Sequence, residues 1–181
     1  QAFSSNTSGD LGSWAAYELA RLCYETLLDY GALAKKAAER GAVTPAVERI
    51  VEANTLLSGL GFESGGLAAA HAIHDGLTVL PATHGALHGE KVALGTQASL
   101  FLTDKPREVV EEVYDFCEEV GLPTTLEGIG LPKEVSEEDL WKVAEAACAE
   151  EDSMHNEPRP ITPADVVAAL KAADAEGRSR Q

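Results

Sequence analysis

Residues 62–100, FESGGLAAAHAIHDGLTVLPATHGALHGEKVALGTQASL, contain four of the five histidines of the protein, at positions 71, 74, 84 and 88. Small residues surround these histidines and would allow two backbones to approach closely. A cluster of histidines is what a ligand shell or an active site requires. We therefore expect the chain to be organised around this stretch, and any chemistry to take place in it.

The same stretch has the pattern of two helices joined by a short connection. Apolar residues and histidines recur every three or four positions over residues 65–80, which places His71 and His74 on one stripe of a helix. A proline ends that helix, and a second helix is predicted over residues 88–101. If the two helices run antiparallel, the imidazole of His71 meets that of His88.

A facing pair of histidines supplies only part of a metal site. Catalytic zinc is held by three protein ligands, commonly histidine and carboxylate, and keeps one position open for water or substrate. The alternative for each histidine is a hydrogen-bonded side chain at a helix interface, which is the commoner role of a single histidine. Four histidines in one short stretch favour the ligand interpretation, but two imidazoles fall one ligand short.

Outside this stretch the chain shows helical periodicity and almost no strand-like alternation of polar and apolar residues. We therefore predict an all-α, multi-helix bundle of about seven or eight helices. Two breaks are predicted at glycines: one at Gly31, between helices over residues 13–30 and 32–40, and one at a corner over residues 59–61. The residues that cap helix starts are Thr44 with Pro45, Ser136, and Thr162 with Pro163.

Composition limits the classes of partner. A formal net charge of −16 argues against binding to nucleic acid or to anionic membrane surfaces, since both would repel the chain. No apolar run approaches the roughly twenty residues of a membrane span, and no signal-peptide pattern opens the chain, so we expect a cytoplasmic protein. The three cysteines are widely spaced in apolar helical patterns, which predicts buried free thiols in a reducing compartment. His155 and Asn156 are interpreted as a loop-capping pair.

The sequence GFESGGLAAAHAIHDGL, followed by LHGEKVALGT, resembles the metal-binding core of NAD-dependent glycerol dehydrogenases, within the iron-containing alcohol dehydrogenase superfamily. Further blocks in the same order make residues 19–174 similar to the C-terminal, helical half of such an enzyme. These blocks are VTPAVERIVEANTLLSGLGFESGG, VGLPTTLEGIG, VAEAACAEEDSMHN and ITPADVVAALKAAD.

The resemblance implies the fold of the C-terminal domain of the dehydroquinate synthase-like and glycerol dehydrogenase group. Residues 1–12 would then be a loop or a remnant of the inter-domain crossing. Residues 13–177 would form the helical metal-binding domain, and residues 178–181 a tail.

The resemblance also implies roles for individual residues. His71 and His88 match two of the three zinc ligands, while the third ligand in the family is an aspartate just before the point where this chain begins. Phe62 matches the aromatic residue that lies against the carbon skeleton of the bound polyol. His74 and His84 match positions near the site without an assigned role. Iron is the alternative metal.

The chain shows no strand followed by a glycine-rich phosphate cradle, the unit that would bind a dinucleotide. The resemblance therefore implies that NAD is bound by a nucleotide-binding half, or a separate chain, which these 181 residues lack. With that half, the implied reaction is the oxidation of glycerol, a small polyol, to dihydroxyacetone with reduction of NAD. Whether this chain alone is an enzyme stays open.

Two other interpretations remain open. The chain would serve as a non-catalytic helical interaction or assembly module if the histidines have lost their role. Alternatively, the substrate would be another small diol, because Asp75 stands where the family usually has asparagine, and residues 85–87 also depart from the family pattern. The resemblance further implies a homo-oligomer.

Overall fold

A computed structural model describes residues 12–181, and the regular structure in this part is entirely helical. The predicted all-α bundle is confirmed, because residues 12–181 form eight α-helices and contain no strand. The predicted loop over residues 1–12 lies outside the described residues except for its last position. The helices are α1 (Trp14–Ala38), α2 (Pro45–Glu52), α3 (Ser58–Gly65), α4 (Ala69–Thr78), α5 (His88–Leu102), α6 (Arg107–Val120), α7 (Glu137–Ala147) and α8 (Pro163–Ser179).

The described chain divides into two compact units at the link between Gly66 and Leu67. In the first unit, α1 packs along both α2 and α3. A short π-helical turn over Ala53–Leu57 joins α2 to α3 without a break. The predicted metal-binding domain over residues 13–177 includes parts of both units and stays a prediction, as does the tail over residues 178–181.

Two predicted helix breaks in the first unit are wrong. Gly31 lies inside α1, and Gly59 and Gly61 lie inside α3. A glycine in a helix interior costs about 1 kcal/mol relative to alanine, which the packing of these helices on one another offsets. Helix α3 ends where Gly66 takes a φ of +73°, a conformation that residues with a Cβ rarely adopt. The helix predicted from residue 65 therefore begins later, as α4.

In the second unit, α4 packs against both α5 and α7, and α8 packs against the same two helices. The closest approaches occur at glycines. A Cβ on Gly95 of α5 would overlap the carbonyl oxygen of Ala70 on α4, and a Cβ on Gly76 of α4 would overlap that of Val143 on α7. Helix α4 is thus held on two sides by close backbone contacts. Core residues around it include Ile73, Leu77, Leu94, Ile129, Val143, Val166 and Leu170.

The predicted helix starts are confirmed by side-chain caps, since a hydroxyl at each start accepts a hydrogen bond from a free N–H of the first turn. The helix predicted over residues 88–101 is α5, which is one residue longer. The cap bonds run from Val47 N–H to Thr44 Oγ1 (3.5 Å), from Asp139 N–H to Ser136 Oγ (3.0 Å) and from Asp165 N–H to Thr162 Oγ1 (3.3 Å).

All three cysteines are free thiols, with Cys117 buried and Cys23 and Cys148 partly buried. Burial raises the pKa of each of these thiols, so they stay protonated at neutral pH.

Among the helices of residues 12–181, none combines the length and the apolar character needed to cross a membrane.

Candidate metal centre

Three histidines come together where α4 meets the beginning of α5. His71 and His74 lie one turn apart on α4, and His88 is the first residue of α5. The ring centroids of His71 and His88 are 5.9 Å apart, and those of His74 and His88 are 4.3 Å apart. The structure therefore brings the imidazoles of His71 and His88 together, as the helix pattern predicted.

The connection between α4 and α5 positions His88. Its 3-10 turn, Pro81–Thr83, buries the side chain of Thr83, whose hydroxyl donates to the carbonyl of Leu77 at the end of α4 (2.7 Å). At the start of α5, the Glu90 carboxylate accepts a hydrogen bond from the Leu87 N–H (2.6 Å). A connection tied at both ends leaves little freedom to the first residue of α5.

His71 carries a buried nitrogen without a partner. No hydrogen bond reaches its Nδ1 from any residue that the structure describes. Burial lowers the pKa of His71 below its ordinary value, and the neighbouring His88 and His74 lower it further. The imidazole is therefore neutral at neutral pH. A buried polar atom left unpaired is costly, and binding of a ligand or ion would remove that cost.

His74 stands between an acidic side chain and another histidine. Its Nδ1 lies 2.9 Å from Oδ1 of Asp75, and its Nε2 lies 3.0 Å from Nδ1 of His88. Burial lowers the pKa of His74, while the Asp75 carboxylate opposes that shift. The sequence placed His74 near the site without a role, and the structure supplies the contact with His88.

His84 lies apart from this cluster. Its side chain is exposed, and its Nε2 is 3.0 Å from the carbonyl oxygen of Thr78, near the end of α4. Within residues 12–181, no hydrogen bond or ring contact links His84 to the other histidines of the stretch. Phe62, the predicted substrate contact, belongs to α3 of the first unit, and its side chain is 48% exposed.

The pair His71 and His88 fits part of a zinc site. Two imidazoles that bind one tetrahedral zinc at about 2.0–2.1 Å have ring centroids about 5 Å apart, and the observed 5.9 Å lies within about 1 Å of that separation. The unpaired nitrogen of His71 supplies a reason for a ligand at this place. Among the described residues, however, no group of three His, Cys, Asp or Glu side chains could hold a metal ion. The two imidazoles need a further ligand.

A distant loop supports the start of α4. The methyl side chain of Ala68 cannot accept a hydrogen bond and so cannot cap the helix. The Glu157 carboxylate instead accepts a hydrogen bond from the Ala69 N–H (3.1 Å). Asn156 donates to the carbonyl of Leu67 (2.8 Å), while the capping role predicted for His155 together with Asn156 stays a prediction. Leu67 could not be predicted as the partner of Asn156, because 89 positions separate the two residues and no local pattern joins them.

No protein-family model matches the chain, but comparisons with individual proteins find close relatives. A glycerol dehydrogenase of Thermotoga maritima is 69% identical over 181 residues, which are 100% of this chain and 50% of the relative. A glycolaldehyde reductase of Halobacterium salinarum is 52% identical over 180 residues, which are 98% of this chain and 48% of the relative. The chain spans about half the length of these curated relatives.

A solved structure supports the same relationship. The crystal structure of a probable glycerol dehydrogenase from Sinorhizobium meliloti matches with a TM-score of 0.92 at 46% sequence identity. The match covers 98% of this chain and 50% of the other. Sequence and fold therefore point to the same group of proteins.

Proposed function

The chain belongs to the glycerol dehydrogenase family, and from this premise we propose that it is the metal-binding, C-terminal half of an oxidoreductase that converts glycerol and NAD to dihydroxyacetone and NADH. The observation that carries the proposal is the facing pair His71 and His88, 5.9 Å apart, with an unpaired buried nitrogen on His71. Neutral imidazoles suit zinc, with iron as the alternative. When bound, the metal would polarise the substrate hydroxyl as a Lewis acid.

His71 and His88 would each give one nitrogen lone pair to the metal. The lowered pKa of His71 keeps its ring neutral at neutral pH, and so keeps that lone pair available. At least one more protein ligand is required, and the sequence resemblance assigns it to an aspartate outside these 181 residues. Protons compete with metal for imidazole nitrogen, so acid should release the metal.

Other parts of the proposal rest on the family. Phe62, with its exposed aromatic ring, would lie against the carbon skeleton of the polyol. NAD would be bound by a nucleotide-binding half, corresponding to the portion of the relatives that this chain does not span. The assembled enzyme would be a cytoplasmic homo-oligomer.

Metal analysis of the assembled protein tests the proposal. With the nucleotide-binding half supplied, we expect about one zinc per site and NAD-dependent oxidation of glycerol. His88→Ala should lose the metal and the activity together. His155→Ala is the matched control, because His155 is exposed on the short turn Ser153–Asn156 and should leave both unchanged. Full metal content in the His88→Ala protein would falsify the proposed ligand set.

A second candidate substrate is suggested by one relative. The Halobacterium salinarum protein is named for the reduction of glycolaldehyde, and its identity with this chain is 52%. A small hydroxyaldehyde is thus an alternative to glycerol at the same metal. Rates with glycerol, with other small diols and with glycolaldehyde would separate these substrates. A protein that binds no metal and shows no activity with its nucleotide-binding half would instead be a non-catalytic assembly module.

A further inference from the structure

We propose that Asp75 and His74 are positioning residues for His88: they form a chain of hydrogen bonds that leaves Nε2 of His88 unprotonated and directed to a metal. This inference rests on the proposed function, because it concerns how one ligand of the same site is prepared.

The chain of hydrogen bonds has a direction because it begins at a carboxylate. An ionised carboxylate only accepts hydrogen bonds, and Oδ1 of Asp75 lies 2.9 Å from Nδ1 of His74. Nδ1 of His74 must therefore carry the proton. A neutral imidazole has only one N–H, so Nε2 of His74 is left as an acceptor.

The second hydrogen bond fixes the tautomer of His88. Nε2 of His74 lies 3.0 Å from Nδ1 of His88. Since Nε2 of His74 accepts, Nδ1 of His88 must donate, and Nε2 of His88 keeps its lone pair. If Nε2 of His74 carried the proton instead, the lone pair on Nδ1 of His74 would face the Asp75 carboxylate. The lone pair and the carboxylate would then repel each other.

In metal sites generally, the hydrogen-bond partner of a ligand histidine affects how tightly the metal is bound. A ligand histidine that donates its second ring N–H is held in one tautomer and one orientation, and losing the partner typically lowers metal affinity about 10–100-fold. The side chain of His74 is only 12% exposed, whereas that of Asp75 is 57% exposed. We therefore expect the larger effect at His74, and a smaller one at Asp75, where water can replace the carboxylate.

Zinc affinity of the complete protein, measured by competition with a chelator, tests the proposal without relying on activity. His74→Leu removes the acceptor and should weaken zinc binding about 10–100-fold. His74→Gln carries an amide oxygen close to the position of Nε2 and should restore most of the loss. His84→Leu is the control outside the hydrogen-bond chain, because the hydrogen bond of the His84 ring goes to the Thr78 carbonyl and not to His74 or His88, and it should bind zinc like the wild type.

Variants at Asp75 keep the test valid even if His74→Leu does not fold. Asp75→Ala removes the acceptor at an exposed position, whereas Asp75→Asn retains an oxygen that can accept from His74. We expect weaker zinc binding for Asp75→Ala than for Asp75→Asn. Absorption spectra of the cobalt-substituted proteins should show unchanged coordination in all four variants at Asp75 and His74, because neither residue binds the metal.

The possible outcomes separate this inference from the proposed function. A wild-type protein without affinity for zinc would overturn the function itself. A wild type that binds zinc, together with His74→Leu and Asp75→Ala proteins that bind it equally well, would overturn only the positioning role. A His74→Gln protein as weak as His74→Leu, with an altered cobalt spectrum, would make His74 a ligand and would also reject the inference.

Discussion

Gly95 on α5 contacts Ala70 on α4 so closely that no side chain fits between them: a Cβ on Gly95 would overlap the carbonyl oxygen of Ala70. His71 follows Ala70 in the chain, and His88 begins the helix that carries Gly95. The contact between the two backbones therefore also determines how far apart the two proposed metal ligands lie.

Gly95→Ala should separate α4 from α5. We expect a loss of about 1–3 kcal/mol in the free energy of unfolding, since overpacking forces the backbone to move, and weaker zinc binding. Urea unfolding measures the first effect. Gly89→Ala is the control on the same helix, because nothing lies within 4 Å of a Cβ there, and it should be neutral or slightly stabilising. Equal stability of the two variants would show that the helices are not in close contact.

Thr83→Val should loosen the connection that leads to His88. The valine keeps the shape of the side chain but loses the hydrogen bond from the hydroxyl to the Leu77 carbonyl (2.7 Å). We expect a cost of about 0.5–1.5 kcal/mol, measured by urea unfolding, and a lower zinc affinity. Thr55→Val, at an exposed position of the first unit, should change stability by less than about 0.5 kcal/mol.

Asn156→Ala should weaken the start of α4. Asn156 is buried and donates to the Leu67 carbonyl (2.8 Å), which would be left without this donor. The expected cost is about 1–3 kcal/mol in the free energy of unfolding. The neighbouring variant His155→Ala, at an exposed residue, should have almost no effect. If both alanine variants unfold at the same urea concentration as the wild type, the loop does not stabilise the helix.

Tyr114 should make stability depend on pH in the alkaline range. Its ring is buried, and its hydroxyl donates to the Ala173 carbonyl (2.8 Å). Burial raises the pKa of Tyr114 above the ordinary value of about 10. Because the folded state holds this proton more tightly than the unfolded state, the contribution is complete below about pH 10 and decreases as the pH rises further.

Tyr114→Phe tests this contribution. We expect a loss of about 0.5–1.5 kcal/mol at neutral pH from the missing hydrogen bond. Above about pH 10, the stability of the wild type should fall more steeply than that of the variant, so that the difference between them becomes smaller. Urea unfolding at a series of pH values measures both. A difference that grows with pH would contradict the raised pKa.

Much of the helical organisation could be predicted from local sequence. The start of α5 at His88 and the caps at Thr44, Ser136 and Thr162 follow from short-range hydrogen bonds and periodicity, which involve residues only a few positions apart. The interpretation of Gly31 as a break was wrong. Its local preference is worth only about 1 kcal/mol, and packing against other helices outweighs it.

For the candidate site, local sequence was enough to predict which imidazoles could meet, because helical spacing places His71 and His74 on one stripe and a short connection leads to His88. The atoms that touch follow from the packing of the helices: His74 Nε2 lies 3.0 Å from His88 Nδ1, across 14 positions of the chain. Packing also brings Asn156 to the start of α4 from 89 positions away. Such contacts depend on how closely the backbones pack, to within a fraction of an ångström, and residue spacing along one helix carries no information about that distance.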